Sequence, residues 1–107
     1  MCAVTVYVPY FPVVVPPCTE GGNQQLVIGT TSMRISDQSI ETRIIVIKND
    51  DQSPGNVYVC IDGNDCKIDR GFRLSPGQFV SIAISDLSKI TLIADNENVL
   101  VYVMWCR

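Results

Sequence analysis

Histidine is missing from this sequence. That removes the commonest general base, the commonest metal ligand and the side chain that titrates near neutrality. Charge is scarce at 18% of residues, and aromatic residues make up only 7%. Eight Lys and Arg against eleven Asp and Glu leave a net charge of −3, and the pI is near 4.6. A general nucleic-acid binder needs a basic stripe, so that class is set aside. No C-x-x-C pair, P-loop or dinucleotide-binding glycine pattern occurs. There is no repeat of fixed period, no heptad and no amphipathic helical window.

What remains is apolar chain. Hydrophobic residues are 47% of the 107, which at this length means one folded domain. They concentrate at both ends. Residues 1–18 carry no charge, but four prolines (Pro9, Pro12, Pro16, Pro17) argue against a membrane helix. The missing basic start argues against a signal peptide. This stretch reads as an extended arm: a strand over residues 1–8, then polyproline-like chain from Pro9 to Pro17. Val4, Val6, Val8, Tyr10, Phe11, Val13, Val14 and Val15 are its candidate contact residues. The arm either wraps its own domain, packs on a neighbouring subunit or, as a third option, meets a membrane. At the other end, Val99, Val101, Val103 and Trp105 would share one face of a strand, and Leu100, Tyr102, Met104 and Cys106 the other. Both faces are apolar, so this strand is either covered twice or meets another chain. Leu100, Tyr102 and Met104 complete the expected interface.

Between the ends, strands alternate with turns. Leu26–Ile28, Ile40–Lys48, Val57–Ile61, Phe79–Ile84 and Ile90–Ala94 read as strands, and Cys66–Asp69 as a return strand. Asn49–Gly55, Asp62–Asp65, Ser75–Gly77, Ser85–Ser88 and Asp95–Asn98 read as turns. Seven or eight strands at this spacing predict an all-β fold, an antiparallel β-sandwich or jelly-roll-like barrel carrying the Pro-rich arm. The expected boundary sets an arm over 1–22 and a sandwich over 23–107, with a hinge near Gly21-Gly22.

The five cysteines are Cys2, Cys18, Cys60, Cys66 and Cys106. A hairpin centred on Gly63 would set Cys60 opposite Cys66, where a disulfide, two free thiols or a metal pair all remain open. A Cys2–Cys18 or Cys18–Cys106 bridge would tie the arm to the body. Disulfides would imply an oxidising setting or a hyperthermophile cytoplasm. Asp62, Asn64, Asp65 and Asp69 suggest a calcium loop but lack its spacing and terminal Glu, so a solvated turn is expected. Lys67, Arg70 and Arg73 beside Phe72 read as a surface hairpin, with an anionic partner as the lesser reading. No catalytic group, metal or cofactor is expected.

One stretch carries a resemblance. Phe72-Arg73-Leu74-Ser75-Pro76-Gly77-Gln78 leads into Val80-Ser81-Ile82. Asp86-Leu87-Ser88-Lys89-Ile90-Thr91-Leu92-Ile93-Ala94-Asp95 then leads into Asn98-Val99-Leu100-Val101. Residues 44–107, with this order, resemble small all-β virion structural proteins of tailed phages and related viruses, many of them head-decoration or tail-associated. Leu-x-Pro-Gly before a strand also occurs in cupin-like jelly rolls, but the cupin metal site depends on histidines. The resemblance implies a non-enzymatic virion subunit, and burying the two-faced terminal strand without leaving a growing edge favours a closed homo-oligomer, most simply a trimer. The resemblance also implies a major capsid or tail protein as partner, and no nucleic acid or membrane. The arm lies outside the match. The alternative is a secreted or surface carbohydrate-binding or adhesion module, with Tyr58, Phe72 or Tyr102 as stacking aromatics.

Overall fold

The computed structural model describes residues 17–107 in full and, before them, only the backbone of Val4–Val8 and Phe11–Val15. Those two segments, β1 and β2, pair antiparallel, from Val4 opposite Val15 to Val8 opposite Phe11. The stretch expected to be polyproline-like therefore contains a strand. Pro12 fits there because each strand of a two-stranded sheet has one open side, where a missing N–H costs no ladder bond.

Eight further strands follow: β3 (Gly21–Ile28), β4 (Met33–Arg34), β5 (Ile44–Asn49), β6 (Val57–Cys60), β7 (Phe72–Leu74), β8 (Phe79–Ala83), β9 (Thr91–Ala94) and β10 (Val99–Cys106). They form two antiparallel four-stranded sheets, ordered β3-β10-β5-β8 and β4-β9-β6-β7. Each strand pairs with its counterpart counted from the other end: β3 with β10, β4 with β9, β5 with β8 and β6 with β7. A one-turn 3-10 helix, Leu87–Lys89, precedes β9. The fold is all-β, as expected.

The two sheets share one core. Ile28, Ile45, Ile47, Val99, Val101 and Val103 come from the first sheet, and Val57, Val59, Leu74, Leu92 and Ala94 from the second. Alternation along each strand puts these residues inward, and burial of each is worth roughly 1.5–3 kcal/mol. Of the three buried polar residues, Thr42, Asn49 and Thr91, Asn49 bonds across from one sheet to the other. Asn49 is fully buried, and its Nδ2 donates to the Leu74 carbonyl at 2.9 Å and the Gly55 carbonyl at 3.0 Å. Asn49 was expected to open a turn. It is instead the last residue of β5 and links the sheets.

Three other expectations change. β3 begins at Gly21, ahead of the expected domain start at residue 23 and well ahead of Leu26. Its Gly-Gly-Asn-Gln-Gln start has little strand propensity, but β10 supplies partners along its whole length. Gly22 is required where it lies, since a Cβ there would come within 2.7 Å of the Trp105 indole. Ile40–Arg43 is not part of β5, whose regular pairing starts at Ile44; ahead of it the chain keeps only an isolated antiparallel bridge from Glu41 to Asp86 and the Thr42 N–H and hydroxyl bonds to the Ser85 and Ile84 carbonyls. Cys66–Asp69 is not a return strand. The Lys67 carbonyl accepts from the N–H groups of Arg70 and Gly71, which makes a turn, and β6 pairs instead with Phe72–Leu74. The Ser75–Gln78 turn is as expected: Gly77 has φ 85° and the Gln78 N–H donates to the Ser75 carbonyl at 2.9 Å.

Two disulfides close the chain, Cys60–Cys66 and Cys18–Cys106. The second sits within a clasp of both ends of the described chain. The Thr19 and Glu20 N–H groups donate to the Arg107 carbonyl, the Arg107 N–H returns a bond to the Glu20 carbonyl, and the Arg107 guanidinium pairs with the Glu20 carboxylate. Cys2 lies outside the described residues.

Candidate interaction surface

β10 lies between β3 and β5, at the middle of its sheet. One face is in the core, with Val99, Val101 and Val103 buried. The other turns Leu100, Tyr102 and Met104 outward, and among the described residues no second layer covers them. Register extends this face sideways. Leu100 is level with Val27, Met104 with Val46 and Cys106 with Ile44, while Lys48 is level with Phe79. Phe79 is 65% exposed, Val27 60% and Met104 55%, with Ile44 and Tyr102 exposed to a lesser degree. A solvated sheet face should be polar. This one carries an apolar strip from Val27 and Leu100 through Tyr102 and Met104 to Val46 and Ile44, with Phe79 set apart from it by Lys48, and exposed apolar patches mark contact surfaces.

A shallow groove of about 450 Å³ runs along it, with Val46, Met104 and Tyr102 as its apolar wall and Asn23, Gln25 and Lys48 at its rim. The Tyr102 hydroxyl donates to Asp50 Oδ1 at 3.0 Å. That bond, with partial desolvation and the nearby Asp50 and Asp51 charges, holds the phenol above its ordinary value of 10. Tyr102 is therefore a fixed, neutral side chain with an apolar ring and a satisfied tip. Lys48 lies 3.6 Å from Asp51. The chemistry offered is contact area with a polar rim, the make-up of a protein interface.

No known family model and no curated protein matches this chain.

The other sequence-derived candidates are dispersed. Val4, Val6, Val8, Phe11, Val13, Val14 and Val15 fall in the β1–β2 pair, whose side chains lie outside the described residues, as does all of Tyr10. Cys60 and Cys66 are joined, although the turn between them is part of a longer loop. Arg70 is committed inside that loop, paired with Asp62 at 2.8 Å and donating to the Asp65 carbonyl. Asp62 also accepts from the Asn64 N–H, and the two bonds lower its pKa, the Asn64 bond more. Arg73 lies level with Tyr58 on the outward face of the second sheet, so the expected basic cluster is split. The three candidate stacking aromatics are separated too. Tyr102 is outward on the first sheet, Tyr58 is outward on the second, and Phe72 is at an open edge. Alternation alone located the apolar face of β10. The placement of Val27, Ile44 and Phe79 on the same sheet face depends on register, which no single strand displays.

Proposed function

We propose that this chain is a non-enzymatic virion structural subunit, a capsid-decoration or tail-associated protein that works through contacts with copies of itself and with a capsid or tail protein. The observation that carries the reading is the strand pairing. Among the eight strands of the two larger sheets, first pairs with last, second with seventh, third with sixth and fourth with fifth, the pattern of one long hairpin rolled into a jelly roll. Jelly rolls serve chiefly as viral capsid domains, lectins and cupins. Cupin chemistry needs histidines, and the sequence has none. A lectin platform needs its aromatics together, and Tyr58, Phe72 and Tyr102 stand on separate surfaces.

The apolar outer face of the first sheet supports the same reading, since a structural subunit has a use for unpartnered contact area. The two disulfides fit an exposed particle surface, one of the settings where such bonds persist. The arm, limited to the residues ahead of the Cys18–Cys106 disulfide, is taken to reach a neighbouring subunit. A closed ring, a trimer being the simplest, buries such faces without leaving a growing edge. Quantitative mass spectrometry of purified virus particles tests the proposal. The expected result is this chain at a fixed ratio to the major capsid or tail protein. Its absence from the particles would overturn the reading.

A further inference from the structure

The two four-stranded sheets have four edge strands: β3, β8, β4 and β7. Soluble proteins blunt such edges with charge, proline, shortness or irregularity. β4 has two residues including Arg34, β7 has three including Arg73, and β3 opens with two glycines. β8, Phe79-Val80-Ser81-Ile82-Ala83, carries none of these devices.

The hydrogen-bond phase shows what β8 offers. The Asn49 N–H donates to the Gln78 carbonyl, and the Asp50 N–H to the Leu100 carbonyl. Residues of a central antiparallel strand bond alternately to either side. Ile45, Ile47 and Asn49 therefore face β8, and their partners Ile82 and Val80 spend their backbone groups on β5. The N–H and C=O groups of Phe79, Ser81 and Ala83 point the other way, to the open side. Beside them, on the core side of β8, Val59, Ile61, Phe72, Val80 and Ile82 line an almost wholly apolar cleft of about 200 Å³ between the two sheets. Phe72 is 61% exposed there.

We propose that β8 pairs with β8 of a second copy, antiparallel about a two-fold axis through Ser81. This rests on the homo-oligomeric reading above and adds a two-fold contact to it, one that a three-fold ring does not itself contain and that would join two such rings. The register follows from the backbone groups that are free. Ser81 meets Ser81 and Phe79 meets Ala83 of the second copy, so all the outward N–H and C=O groups of the five residues are matched. The side chains fit this register. The large Phe79 covers the small Ala83, a small hydroxyl residue sits on the axis, and no like charges are opposed because the strand has none. On the inner side, Val80 lies level with Ile82 of the second copy, which brings the two apolar clefts together across the axis. The symmetry is isologous and closed, so the edge is used up and does not propagate.

Sedimentation equilibrium on the full chain tests this with Ser81→Asp, Ser81→Lys and Ser81→Ala. The first two place like charges directly opposite each other, and the third is a neutral control. Circular dichroism melts establish that each variant is folded. The expected result is that the charged variants have half the wild-type mass and the alanine variant keeps it. An equimolar mixture of the two charged variants should regain the wild-type mass, because Asp then faces Lys. A wild-type multiple untouched by both charged variants but lowered by Met104→Asp would overturn the β8 contact and leave the homo-oligomeric reading standing. A monomeric wild type would overturn both.

Discussion

Asn49 and Asp86 show how single polar side chains hold an otherwise apolar fold. Asn49 Nδ2 satisfies two carbonyls that belong to different parts of the second layer. Asn49→Ala would leave both without their donor, the Leu74 carbonyl in a buried site, and losing such bonds costs about 2 kcal/mol. Urea titration should show that loss as a lower midpoint with an unchanged slope. Asp86 caps the 3-10 helix. It accepts from the Ser39 hydroxyl, the Ser88 N–H and hydroxyl, and the Ile40 N–H, and these bonds hold its pKa well below the ordinary 3.8. A lowered carboxylate contributes stability that is complete above the unfolded value and is lost as pH falls through the folded value. Asp86→Asn should therefore lower Tm by a few degrees at neutral pH, and the gap to wild type should narrow once pH drops below about 3.8. Thermal melts from pH 7 to pH 2 check this. The sequence advertises Asp86 as a turn residue but conceals Asn49. Asn in a run of Asn-Asp-Asp-Gln-Ser-Pro-Gly looks like any loop residue, and its burial depends on β7 arriving from a distant part of the chain.

At the scale of elements, local patterning identified what alternation or turn chemistry makes explicit. β6 and β8 show period-two alternation, β10 is a long run of apolar residues rich in valine, and Pro76-Gly77 marks its turn. What it missed depends on partners. β3 is half polar and becomes a strand because β10 runs beside it, and β4 is two residues long and depends on β9. Residues 66–69 look like a returning strand until the Lys67 turn and the Cys60–Cys66 bond take that chain out of the ladder. The two disulfides should contribute unequally. Cys18 and Cys106 are 88 residues apart and Cys60 and Cys66 only 6. Constraint of the unfolded chain grows with the logarithm of loop length, giving about 4–5 kcal/mol for the long loop and about 2 for the short one. Cys18→Ser with Cys106→Ser should therefore destabilise more than Cys60→Ser with Cys66→Ser. Guanidinium titration of the two double variants measures the difference, and equal losses would count against the chain-entropy account.

For the whole molecule, the apolar content of the sequence divides into two uses. The inward halves of the two sheets take the isoleucines, leucines and valines of the core. A second set, Val27, Ile44, Phe79 and Met104 with Tyr102, is left on the outer face of the first sheet. The sequence showed an excess of apolar side chains without separating these sets, because strand order decides which apolar faces become neighbours. The central claim is that the outer face is a contact between subunits. Light scattering of the wild-type chain beside Met104→Asp tests it most directly, since Met104 contributes nothing to the core and the variant should fold. The predicted result is a wild-type mass that is a multiple of 11.8 kDa, reduced in the variant with little change in Tm. An identical mass for the two proteins would contradict the claim.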